Sequence, residues 1–94
     1  MAGDEGEQRE VVYHGMVQGV GFRYTARRIA AEFPVTGYVQ NLADGRVRLV
    51  AEGNARALDG FLAAVAEAMG PLIEGVSTSS RPASGEFRRF EVRF

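Results

Sequence analysis

Residues 10–41 read EVVYHGMVQGVGFRYTARRIAAEFPVTGYVQN, and the rhythm of the apolar residues changes twice along them. Glu10 to Met16 mixes β-branched and aromatic side chains and runs into glycines, which is the pattern of a strand. From Phe22 to Phe33 the apolar residues Phe22, Ala26, Ile29, Ala30 and Phe33 recur at spacings of three and four. That spacing predicts a helix with one buried stripe, stopped by Pro34. Val35 to Asn41 returns to strand character, so a strand, a helix and a second strand follow one another closely.

The remaining chain continues the series. Leu42–Ala43–Asp44–Gly45 is a turn whose Asp-Gly pair supplies the positive φ of a tight hairpin. Arg46 to Glu52 alternates, with Val47, Leu49 and Ala51 on one side and Arg46, Arg48 and Glu52 on the other. Gly53–Asn54 opens a second helix, with Asn54 as its N-cap. Leu58, Phe61, Leu62, Val65, Ala66 and Met69 form its stripe, and Gly70–Pro71 ends it. Two weaker strands follow, Gly75 to Arg81 and Phe87 to Phe94, with Phe90, Val92 and Phe94 on one face.

The order is β-α-β-β-α-β with one further strand. This predicts an α+β, ferredoxin-like sandwich: a mostly antiparallel sheet of four to five strands carrying two helices on one face. One domain is expected over residues 9–94, preceded by an acidic tail, residues 1–8, expected to be disordered. In this topology the first two strands run the same way with the third antiparallel between them. The loop near residue 20 and the strand end near residue 41 therefore come out at the same edge.

Composition narrows the chemistry. The 94 residues suffice for one core. There is no cysteine, which excludes disulfides, thiolate nucleophiles and Cys-ligated metal centres. All eleven basic residues are arginine, so no lysine is available for Schiff-base or phosphate chemistry. A net charge of −1 argues against a nucleic-acid partner, which needs a basic surface to displace counterions. No apolar run approaches the ~20 residues of a membrane helix, and a cytoplasmic protein without a membrane partner is expected.

Gly15–Met16–Val17–Gln18–Gly19–Val20–Gly21–Phe22–Arg23 lies between a strand and a helix. Gly19 and Gly21 can take backbone angles closed to other residues and turn consecutive N–H groups toward one point. Such an amide nest binds anions, and the first turn of the next helix adds unpaired donors and a positive dipole end. Arg23 would set a planar fork of donors beside it. The same glycines also suit a plain strand-to-helix turn with Arg23 in solvent, and the pattern alone leaves both readings open. A cation at a helix start opposes the dipole unless an anion is present. The segment fits neither the dinucleotide fingerprint nor the P-loop.

This stretch resembles the signature of the acylphosphatase family. Gly37–Tyr38–Val39–Gln40–Asn41, continuing through Asp44–Gly45 to Val47, resembles that family's second signature. Glu52–Gly53 and Gly70–Pro71 are also similar to the family pattern, and the likeness covers nearly all of Glu10 to Phe94. The resemblance implies hydrolysis of acyl phosphates to a carboxylate and inorganic phosphate. Gln18, Gly19, Val20, Gly21 and Phe22, with the Arg23 side chain, would bind the phosphoryl group, and Asn41 would hold the attacking water. No cofactor or metal is expected. The expected partners are a small acyl phosphate substrate and inorganic phosphate or sulfate as product or inhibitor, on a monomeric protein.

Few groups suffice for this chemistry. The leaving carboxylate has an ordinary pKa of roughly 4 and needs no general acid. Phosphoryl transfer is mostly positioning and charge stabilisation. Other residues have plainer explanations. His14 is read as a surface or partly buried strand residue, Asp44 as a turn residue, and Ser77 to Ser80 lack a histidine partner. Tyr24 and Thr25 flank the motif and read as helix surface and packing. Asn41 would be read as a hairpin cap without the resemblance. Two alternatives stand beside the enzyme: a non-catalytic or accessory domain of the same family, and a ferredoxin-like RNA-binding module. The second is disfavoured because the third strand offers no aromatic to stack on bases.

Overall fold

The computed structural model describes residues 6–94. Its strands are β1 (Glu7–Gly15), β2 (Thr36–Asn41), β3 (Val47–Gly53), β4 (Ile73–Pro82) and β5 (Phe90–Arg93). Helix α1 (Phe22–Ala30) joins β1 to β2, and helix α2 (Ala55–Met69) follows β3. The sheet order is β4-β1-β3-β2-β5. All pairings are antiparallel except β2 with β5. Both helices pack on one face, as the ferredoxin-like topology requires.

The core lies between the helices and that face. Val11 and Tyr13 of β1, Val39 of β2, and Val47, Leu49 and Ala51 of β3 meet Phe22, Ala26 and Ala30 of α1 and Leu58, Phe61 and Val65 of α2. The period of two along the strands and the three-and-four spacing along the helices aim these side chains at one layer. Burying each large side chain contributes about 1.5–3 kcal/mol. Asn54 caps α2 as expected, its Oδ1 accepting from Ala57 N at 2.8 Å.

Several boundaries differ from the sequence reading. Strand β1 begins at Glu7, so Glu7 and Gln8, expected in the tail, pair with Gly53 and Glu52 of β3. The tail before Gly6 lies outside the described residues. Helix α1 ends at Ala30, three residues before Phe33. There the bonds tighten to Ile29 O from Glu32 N and Ala30 O from Phe33 N, at 2.9 and 3.1 Å. A shift to i→i−3 bonding is how a helix closes ahead of a proline. Strand β4 is longer than its polar sequence suggested, because its place at the edge requires backbone pairing with β1 and little burial. Strand β5 starts only at Phe90; Phe90 and Val92 pack on the core while Phe94 is exposed.

The face away from the helices is partly covered by residues 83–89. Glu52, placed by the alternation on the side away from Val47, Leu49 and Ala51, is nonetheless 5% exposed and pins this segment. Its carboxylate accepts from Ser84 N and Ser84 Oγ at 2.8 Å, from Gly85 N at 3.0 Å and from Gln8 Nε2 at 2.6 Å. Burial raises the Glu52 pKa, but the bonds from Ser84, Gln8 and Gly85 outweigh it and hold the group below its usual value.

A carboxylate held low stabilises the fold at pH values above its unfolded pKa, and this contribution is lost as pH falls through the lowered folded value. Glu52→Ala strands three partners, and a loss on the order of 3 kcal/mol is expected, or roughly 10–20 °C in Tm. Glu52→Gln should lose less and should flatten the acid limb of stability. Thermal unfolding followed from neutral pH down to about pH 3, across the carboxylate range, checks both.

Candidate active site

The site is set by the register of three strands. Val47 of β3 pairs with Tyr13 of β1 on one side and with Asn41 of β2 on the other. Tyr13 and Asn41 thus lie in one row, about 10 Å apart across two strand spacings. The loop that leaves β1 two residues beyond Tyr13 arrives at the edge where β2 ends.

Both ends of that loop are anchored in the core. Val17 is fully buried, and Phe22 is 2% exposed with its ring 4.9 Å from that of Tyr13. Met16 N donates to Leu72 O at 2.9 Å. In the middle, Gln18 Nε2 donates to Leu42 O at 2.7 Å and to Arg46 O at 2.9 Å. The Gln18 side chain therefore ties the loop to the β2–β3 hairpin, and with its Nε2 engaged twice only its main-chain N–H is left to donate elsewhere. Gly19 and Gly21 have φ of +76° and +78°. A Cβ would meet nothing within 4 Å at either position, so the requirement for glycine is conformational and not one of space.

Gly21 is the N-cap of α1, and no side chain caps the helix. Its first turn carries no acidic residue. The N–H groups of this turn have no intrahelical partner and face outward with the positive end of the dipole. Arg23 is half-buried here. One guanidinium nitrogen donates to Arg93 O at 3.1 Å, and the group lies 4.6 Å from the centre of the Phe94 ring. Sequence reasoning missed both contacts, since they depend on β5 lying parallel beside β2.

Val17, Gly19, Gly21, Phe22, Arg23, Tyr24 and Asn41 line one cleft of about 90 Å³. The structure thus brings Arg23 and Asn41 together with the glycine loop. Tyr24, read from sequence as helix surface, lines the cleft and is half exposed. Thr25 N closes the first helical bond to Gly21 O at 2.9 Å. His14 is exposed and packs over Gly75 of β4. Asp44 accepts from Arg46 N at 3.1 Å and from Arg46 Nε at 2.7 Å, and the backbone bond leads in lowering its pKa. It serves the turn, where Gly45 alone takes a positive φ. Among the described residues no three His, Cys, Asp or Glu side chains cluster as metal ligands would.

Fold and cleft together define a small ferredoxin-like α+β protein whose glycine loop and uncapped α1 start border one cleft. The family model for acylphosphatase matches residues 9–92. An acylphosphatase of Archaeoglobus fulgidus is 55% identical over 56 residues, 60% of this chain and 63% of that one. The acylphosphatase of Methylococcus capsulatus is 44% identical over 84 residues, 87% of this chain and 90% of its relative. The crystal structure of an acylphosphatase from Bacillus subtilis superposes with a TM-score of 0.85 at 31% identity, covering 94% and 99% of the two chains. The chain belongs to the acylphosphatase family, hydrolases of acyl phosphates.

The Gln18 tie yields a local prediction. Gln18→Ala returns two carbonyls at the surface to water, so the fold should lose only about 1 kcal/mol. The loop itself should loosen, and hydrogen exchange at Gly19 to Phe22 should quicken well beyond the change in the core strands.

Proposed function

We propose that this chain hydrolyses the carboxyl–phosphate bond of acyl phosphates in the cleft between its glycine loop and the end of β2. The observation that carries this reading is the shared cleft of Gly19, Gly21, Arg23 and Asn41. The main-chain N–H groups of Gln18 to Phe22 surround the phosphoryl oxygens, with the start of α1 behind them. Of the five N–H donors of Arg23, the described residues engage one, at Arg93 O. The remaining fork spans two phosphoryl oxygens. The stack on Phe94 holds the guanidinium plane while its edge stays available.

Asn41, at the end of β2, lines the same cleft. Its amide oxygen accepts a hydrogen bond from a water and aims the lone pair of that water at phosphorus, in line with the acyl oxygen. The water oxygen bonds to phosphorus, the bond from phosphorus to the acyl oxygen breaks, and its electron pair leaves as the carboxylate. Both protons of the water end on phosphate oxygens, so a dianionic acyl phosphate gives a carboxylate and dihydrogen phosphate. No proton has to reach the leaving group, and the charge that grows on the equatorial oxygens is met by fixed amides and Arg23. The reading needs no metal, and it carries with it a cytoplasmic location and a monomeric state, which cell fractionation and sedimentation test.

Arg23 holds charge in both ground and transition states, so Arg23→Ala should raise the inhibition constant of inorganic phosphate and lower kcat. Arg23→Lys should restore only part of this, because a point charge cannot replace the fork. Asn41→Ala should lower kcat by about a hundredfold or more while KM changes little. Steady-state kinetics on an acyl phosphate, with circular dichroism to establish folding, separates the two defects. Near-normal kcat in folded Asn41→Ala would return Asn41 to the role of hairpin cap.

Chelator should leave hydrolysis unchanged, and phosphate or sulfate should inhibit competitively. A rate lost to EDTA and restored by magnesium or zinc would overturn the mechanism. A folded wild-type protein inactive on acyl phosphates would favour the accessory-domain reading.

A further inference from the structure

On the sheet face opposite the helices lies an open basin of about 600 Å³, several times the volume of the active-site cleft. Its floor is Tyr38 and Val50, cross-strand partners in β2 and β3. Four arginines border it: Arg81 of β4, Arg88 and Arg89 of the covering segment, and Arg93 of β5. Glu10, Glu86 and Glu91 border it too. Nothing in the proposed hydrolysis uses the basin.

The arginines are poorly neutralised. Among the described residues Arg88, Arg89 and Arg93 form no ion pair, and Arg81 reaches Glu10 only at 4.0 Å. Glu10 is already approached by Arg48 Nε at 3.0 Å, a contact that is an ion pair without hydrogen-bond alignment. Three carboxylates thus border the basin against four guanidinium groups, and Arg48 draws on Glu10 as well, on a chain whose net charge is −1. Like charges gathered on one concavity repel, and a bound anion relieves that cost.

The wall is also held in place ahead of any ligand. Glu52 clamps the covering segment at Ser84 and Gly85, and the Phe87 ring lies 5.8 Å from that of Tyr38. The Arg93 guanidinium lies 3.8 Å above the Tyr38 ring. Stacking uses the face of a guanidinium and leaves its in-plane N–H donors for an oxyanion. Donors fixed beforehand spare a ligand the entropy of ordering them.

From this we infer that the basin is a second anion site, taking a small polyvalent oxyanion such as an oligophosphate or a phosphorylated metabolite. Its size and several separate cations suit a ligand with more than one charged group, whereas the cleft suits a single phosphoryl group. The main chain of Arg93 serves the cleft and its side chain serves the basin, so β5 borders both sites.

Inorganic triphosphate titrated into the full chain at physiological ionic strength, with amide resonances followed by NMR, tests the site. Saturable shifts are expected at Phe87 to Arg93, with a Kd on the order of 1 mM or tighter. These shifts should persist in Arg23→Ala, which disables the cleft whether or not the hydrolytic reading holds. Arg88→Ser combined with Arg89→Ser should weaken the binding at least about tenfold while orthophosphate still shifts Gly19 and Gly21. Shifts confined to Gly19 to Arg23, a response at Phe87 to Arg93 that never saturates, or an unchanged affinity in the double variant would overturn the proposal.

Discussion

The antiparallel seating of β3 between β1 and β2 is the constraint on which the rest of this molecule depends. Val47 is the register partner of Tyr13 on one side and of Asn41 on the other and, with Leu49 and Ala51, puts the sheet's central strand against the helices. A slip of one residue would turn all three toward the open face and send Asn41 to the wrong side of the sheet. Gly37 guards this register, because a Cβ there would run into the carbonyl of Val50. Core and cleft are specified by the same pairings. The half-buried Asn41 needs no ordering of its own once the strands have met.

Two kinds of fixing meet at the glycine loop. Val17 and Phe22 are anchored by burial, and Gln18 is anchored by two carbonyls of the hairpin. The stretch between them turns through the positive φ angles of Gly19 and Gly21, in open space where a Cβ would meet nothing. The open face shows a different solution, in which the Glu52 carboxylate gathers the donors of a long segment and is buried only because they surround it.

Much of the fold was legible because burial imposes periodicity. The stripe Leu58, Phe61, Val65 and Met69 needs only helical geometry to be read, and Asn54 announces its helix by its chemistry. Glycine spacing likewise points to the loop, and topology then places Asn41 beside it. What could not be read depends on contacts between distant segments. Glu52 looks like an outward strand residue until residues 83–85 close over it. Strand β4 is polar because pairing with β1 satisfies its backbone without requiring apolar side chains. The Arg93 carbonyl under Arg23 follows from the parallel addition of β5, which leaves no trace in the spacing of either segment.

The strand order also bears on how the chain reaches this state. Only β2 and β3 are joined by a short hairpin; β1 must find β3 across a helix and β2, and β4 must find β1 across nearly the whole domain. Each such closure surrenders chain entropy before its contacts return anything. Topologies dominated by distant pairings fold orders of magnitude more slowly than helical bundles of equal length. Strand β1, whose end carries the glycine loop, has both of its neighbours far away in sequence, so its place in the sheet rests entirely on such distant closures. The cleft, lined from the loop after β1 and from the end of β2, therefore depends on the same distant closures as the sheet itself.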